Sequence, residues 1–148
     1  MADVVLLDAG PLGMVSHPRV ANEVVEWLAS LLASGTRVLV PEIADYEVRR
    51  ELLRAGKTVG VTRLNELKVT LGYLPITTEA MLKAAGFWAT TRRVGRPTSH
   101  EESLDADVIL AGQAATYPHT ELDVVVASTN PRHLSRFVTA KSWQDITP

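Results

Sequence analysis

Apolar positions along this chain fall into two alternating patterns, short unbroken runs and longer stretches spaced at three and four residues. Val4 to Leu7 is the first run, ended at Asp8 and followed by Gly10 and Pro11, as expected of a strand buried on both faces that runs into a loop. From Pro18 to Ser34 the apolar residues Val20, Val24, Val25, Trp27, Leu28, Leu31 and Leu32 recur at helical spacing, with Gly35 as the cap. Val38 to Val40 is a second strand closed by Pro41, and Ile43 to Ala55 a second helix stopped by Gly56. The alternation continues with a helix over Val61 to Leu71, a short strand at Tyr73 to Ile76, and a helix from Thr77 or Thr78 to about Arg93. A polar, turn-rich stretch from Gly95 to Ser103 then reads as a candidate active-site loop leading into a helix that begins near Asp105. Leu122 to Ala127 is a further β-branched strand, ended by a Ser-Thr-Asn-Pro turn, and a short helix and an edge segment finish the chain. Strands separated by helices predict a parallel α/β sheet with helices on both faces.

At 148 residues, with 46% hydrophobic and 22% charged residues, the chain matches one ordered domain over 1–148, without repeats or a linker-like change of composition. Cysteine is absent, which excludes disulfides, thiolate metal sites and thiol nucleophiles together. No stretch reaches the roughly 18 apolar residues that span a bilayer, and the apolar N-terminus lacks a basic region before it, so a cytoplasmic protein with no membrane partner is expected. The net charge of -2 gives no global nucleic-acid signature. Basic residues do cluster locally: Arg49, Arg50, Arg54 and Lys57; Arg92, Arg93 and Arg96; Arg132, His133 and Arg136. Such clusters suit a basic rim around an acidic site, and equally a set of solvated helix faces.

Ligand sites in open parallel sheets form beyond the carboxyl ends of the strands, which brings Asp8 and the turn at 128–130 to one edge. Glu47 sits in a helix among Ile43, Tyr46, Val48 and Leu52, at the margin of a buried face; whether it or Glu51, one turn on, faces the same edge stays open. Asp105 and Asp107 precede a helix of small and apolar residues and would point about 200° apart on it. Asp105 suits a helix N-cap, whereas Asp107 in the first turn suits a ligand role where the helix dipole favours negative charge. Acids gathered at one edge repel unless a cation sits among them, and hard oxygen donors select Mg²⁺ or Mn²⁺. Such a site hydrolyses phosphodiesters without a protein nucleophile. The histidines (His17, His100, His119, His133) have no zinc-ligand spacing, and Ser16, Ser99 and Ser128 have no nucleophile-elbow context. Phosphate loops and dinucleotide fingerprints are absent.

Four pieces in order, LLDAGPLG, YEVRRELLR, LDADVILAGQA and VVVASTNPRHLSRF, together resemble the PIN-domain family, and within it the VapC-type toxin ribonucleases. The resemblance spans nearly the whole chain. It implies a PIN-like three-layer α/β/α domain around a central parallel sheet, and an endoribonuclease that uses Mg²⁺ or Mn²⁺. By it Asp8, Glu47 and Asp107 are the metal-binding and catalytic acids, with Asp105 as a supporting acid or cap. The family's further acid after the fourth strand is replaced here by Asn130, which can coordinate through its carbonyl but brings no charge, so the number of metal ions stays open. Ser128 and Thr129 would position water or phosphate. The resemblance also implies a homodimer and, for a toxin, an antitoxin protein covering the site.

A second reading, motivated by Asn130 and the lack of net basic charge, is a catalytically weak PIN-like module that binds RNA or protein. A haloacid-dehalogenase-like phosphatase would need a DxD pair where this chain has Asp8, Ala9, Gly10.

Overall fold

Burial on both faces explains why the central strands lack alternation. In the computed structural model, which describes residues 2–19, 21–94 and 101–148 (backbone only for 101–103), five parallel strands form one sheet. The strands are β1 (Val4–Leu7), β2 (Arg37–Pro41), β3 (Tyr73–Leu74), β4 (Val124–Ser128) and β5 (Ala140–Ser142), in the spatial order β3-β2-β1-β4-β5. Val5 and Leu7 of β1 pack into a core with residues of α1 (Ala9–Ser16), α2 (Asn22–Ala33), α3 (Glu42–Arg54) and α4 (Thr58–Leu71). Val4 and Leu6 point the other way, into a core with Ala106 and Leu110 of α6 (Glu101–Ala115), outside which α5 (Thr78–Arg93) packs. The result is the expected α/β/α arrangement. Each fully buried Val or Leu of β1 contributes about 1.5–3 kcal/mol of transfer free energy.

Several boundaries differ from the sequence expectation. The segment after Asp8 is not a loop but the eight-residue helix α1. Pro11 is tolerated because it occupies the first turn, where a backbone N–H has no intrahelical partner to lose. The next helix begins at Asn22 rather than Pro18, α4 begins at Thr58 rather than Val61, and β3 is only two residues long. Thr77 is the N-cap of α5, its hydroxyl accepting from the Ala80 N–H at 3.0 Å. The helix expected from Asp105 starts a turn earlier, at Glu101, so the cap assigned to Asp105 is displaced. Residues 95–100, most of the proposed active-site loop and including Arg96, Ser99 and His100, lie outside the described residues.

Two buried side chains tie the layers together. Gln113 of α6 accepts from the Ile43 N–H at 3.4 Å and donates to the Leu74 carbonyl at 2.8 Å, fixing the start of α3 against β3. Trp27 of α2 donates to the Ile146 carbonyl at 2.9 Å and packs edge-on to Trp143 at 5.4 Å, anchoring the end of the chain. Among the described residues no helix is long and apolar enough to cross a membrane.

The contact between α5 and α6 depends on a missing side chain. A Cβ on Gly112 would collide with the Ala80 carbonyl oxygen, a backbone atom that cannot swing aside. Gly112→Ala is therefore expected to lower the unfolding free energy by about 1–3 kcal/mol in a urea titration. Gly86→Ala, whose Cβ would meet open space, should leave stability unchanged or raise it by up to about 1 kcal/mol.

Candidate active site

The strand order reverses direction between β1 and β4: from β1 the chain builds outward to β2 and β3, then returns to place β4 on the other side. Adjoining loops part at such a point and leave a crevice beyond the carboxyl ends. Leu7 pairs with Ala127, so the next residues, Asp8 and Ser128, stand side by side at that crevice. The Asp8 N–H donates to the Ala127 carbonyl at 2.9 Å. Its carboxylate is then held on both oxygens: Oδ1 accepts from the Ala9 N–H at 2.7 Å as the N-cap of α1, and Oδ2 accepts from Ser128 Oγ at 2.7 Å. The Ser128 hydroxyl in turn accepts from the Asn130 N–H at 3.0 Å. Ser128 is buried, so it clamps Asp8 instead of facing solvent. Thr129 is exposed, but its side chain lies so close over Gly10 that any Cβ there would clash with it.

Glu47 and Asp107 converge on Asp8 from opposite layers, from α3 and α6. Burial, then the negative charge of Asp8, opposed by Arg50, pushes the Glu47 carboxyl up to about 7; Asp107 adds a smaller upward push. Burial and then Asp8 push Asp107 up to about 6, opposed by Arg136. Asp8 itself is raised by burial, against the lowering effect of its hydrogen bonds from Ser128 and Ala9. The three acids thus sense one another, and Arg50 and Arg136 flank them from α3 and from the 3-10 turn at Leu134–Arg136. Arg136 was visible in sequence only as part of a basic cluster.

The choice between Glu47 and Glu51 is decided by the same geometry. Glu51 is exposed and paired with Arg54 at 2.7 Å on the surface, where such a pair is worth little. Asp45, also on α3 and buried, is neutralised by Arg49 at 2.9 Å, with Lys68 at 3.9 Å. Asp105 does not join the trio. It is exposed and borders a concavity of about 380 Å³ between α5 and α6, with Met81, Ala84, Trp88 and Val108. Being two residues from Asp107, it lies on the far side of α6. Asn130 is exposed just beyond Ser128. Among the described residues no three acidic or imidazole groups stand close enough to chelate an ion together. A groove of about 440 Å³ runs from Glu47 between α1 and α3, bordered by Arg50, Glu51, Arg54 and Lys57.

The chain matches no family model and no curated protein in sequence. Its fold does match solved structures. It aligns with a chain of FitAcB from Neisseria gonorrhoeae at 19% identity and a TM-score of 0.70, covering 96% of this chain and 99% of that one. A chain of VapBC2 from Rickettsia felis, bound to a DNA fragment from its promoter, aligns at 12% identity and a TM-score of 0.75, over 95% and 98%. A chain of VapBC-1 from nontypeable Haemophilus influenzae aligns at 15% identity and a TM-score of 0.70, over 96% and 99%. The architecture is therefore the PIN-like α/β fold of these proteins.

The raised carboxyls make the metal-free protein sensitive to pH. Glu47 and Asp107 rise from ordinary values of 4.5 and 3.8 to about 7 and about 6, so the folded state binds more protons than the unfolded state between those limits. Their contribution to stability is full below pH 4 or so and is lost as pH rises through the folded values. The melting temperature in chelator should fall between about pH 4.5 and pH 7, and Glu47→Gln should flatten the fall; an unchanged profile in the variant would contradict the coupling.

Proposed function

Proceeding from the PIN-like fold, we propose that this chain is a divalent-metal-dependent endoribonuclease that hydrolyses RNA phosphodiester bonds, the toxin of a type II toxin–antitoxin pair. The observation that carries the reading is the meeting of Asp8, Glu47 and Asp107 at the crevice between β1 and β4, where among the described residues Arg50 and Arg136 offset their charge. The donor set fits Mg²⁺ or Mn²⁺: it is all hard oxygen, and none of the three acids has an ion-pair partner among the described residues. Asp8, Glu47 and Asp107 are the residues that would hold the ion. When bound, the cation supplies Lewis-acid polarisation of a phosphoryl oxygen and a lowered pKa for an attacking water.

The chain's own residues do the rest. Ser128 and the Ala9 N–H hold Asp8 in one orientation, so the acid need not be ordered when substrate arrives. Arg50 and Arg136 offset the repulsion between the acids and an approaching phosphodiester. Thr129 and the Asn130 amide, exposed at the rim, offer neutral groups to water or phosphate. The fold likeness to chains of VapBC and FitAB complexes supports an antitoxin partner, and the sequence resemblance supports a homodimer.

The replacement of the fourth acid by Asn130 favours one alternative, a PIN-like module that binds RNA or protein and cleaves weakly. Both readings are tested in one series. With Mn²⁺ and a labelled RNA, wild-type cleavage should fall in Asp8→Asn and Asp107→Asn by more than the roughly 10–100-fold typical of outer-shell changes, with circular dichroism unchanged. Cleavage that persists in both variants contradicts the proposal. A wild type that is inactive until Asn130→Asp is introduced favours the binding module.

A further inference from the structure

Next to the acids, the outward side of α3 carries Tyr46, which has no role in the chemistry described above, and Arg50, whose part there is only to offset charge. Tyr46 is 56% exposed, the most open aromatic ring among the described residues. Arg50, one turn further on, lies over that ring with its Cζ 5.1 Å from the centroid. Its neighbours on the helix are already engaged: Arg49 with Asp45 at 2.9 Å and Arg54 with Glu51 at 2.7 Å. Arg50 makes no ion pair among the described residues. It also borders the groove that Glu47 lines.

A single exposed tyrosine argues for nothing, since isolated apolar groups on a surface are common. Here the tyrosine is next in sequence to an acid of the candidate site, and a guanidinium that makes no ion pair among the described residues already lies over its ring and hydrogen-bonds to it. Rings and guanidinium planes are the surfaces on which proteins stack bases of single-stranded nucleic acid. The guanidinium can meanwhile present its N–H edge to a phosphate, which a strand approaching three carboxylates requires. Duplex RNA offers no free base face and would not use such a surface.

We propose that Tyr46 and Arg50 form a stacking platform for one nucleotide of a single-stranded RNA, adjacent to the bond cut at the Asp8–Glu47–Asp107 site. The adjacency rests on the ribonuclease reading; the binding does not. The base lies on the Tyr46–Arg50 pair, and its phosphate meets the Arg50 guanidinium.

The test is fluorescence anisotropy with a fluorescein-labelled single-stranded RNA of about 12 nucleotides and the full chain carrying Asp8→Asn, which prevents cleavage. Tyr46→Ala in that background should raise Kd about tenfold, while Tyr46→Phe stays within about twofold. Arg50→Ala should raise Kd and reduce the salt slope by about one counterion. The same sequence as a duplex should bind more weakly and ignore Tyr46→Ala. Unchanged single-strand binding in Tyr46→Ala, as a protein-docking tyrosine would give, overturns the proposal; so do equal losses for strand and duplex, or no single-strand binding at all. Tyr46-dependent binding without wild-type cleavage sinks the ribonuclease reading alone, and cleavage with Tyr46-independent binding sinks the platform alone.

Discussion

The hydrogen bond from Ser128 to Asp8 joins the carboxyl ends of the two central strands, and the geometry of the site depends on it. It exists because β1 and β4 pair in a register that sets Leu7 against Ala127. A shift of one residue would turn Asp8 toward a core face, since side chains alternate along a strand. The same register is held by burial: Val5 and Leu7 are locked into one layer, Val4 and Leu6 into the other. The packing of the sheet and the orientation of one carboxylate are thus a single constraint. With Asp8 fixed, α3 and α6 need only deliver Glu47 and Asp107 to the same crevice, and Gln113 ties those two helices to one another and to β3.

Electrostatics separates this crevice from the rest of the acidic surface. Asp45 and Glu51, on the same helix as Glu47, each have an arginine partner at 2.9 Å or less. Among the described residues Glu47 and Asp107 have no such partner, and both are pushed up by burial and by Asp8. A fold that gathers unpaired acids gives up stability at neutral pH, a cost that binding of a divalent cation would offset. The arginines nearby lie beside the acids without neutralising them.

Much of this was legible from the residues. The apolar runs located β1, β2 and β4 because they are buried on both faces, and the resemblance to the PIN-domain family pointed to Asp8, Glu47 and Asp107, which the structure brings to one crevice. The helix α1 was not legible: Ala-Gly-Pro-Leu-Gly-Met-Val-Ser has two glycines and a proline in eight residues, and it folds because Asp8 caps it and the core holds Leu12 and Val15. Glu47 and Glu51 are one turn apart, so periodicity alone could not choose between them; the Arg54 partner of Glu51 does. Asp105 was misjudged as a cap because the true start of α6 lies in a polar stretch that reads as a loop. Ser128 read as a residue for substrate or water, while the structure uses it to hold Asp8, a role that depends on strand register and so on long-range pairing.

The central claim is that three carboxylates at the crevice between β1 and β4 make a site for a hard divalent cation. Isothermal titration calorimetry of Mn²⁺ into the chelator-stripped wild type, beside Asp8→Asn, tests it most directly. Saturable binding in the wild type that is lost in Asp8→Asn is the predicted result. Absent binding in the wild type, or equal binding in both proteins, would contradict the account.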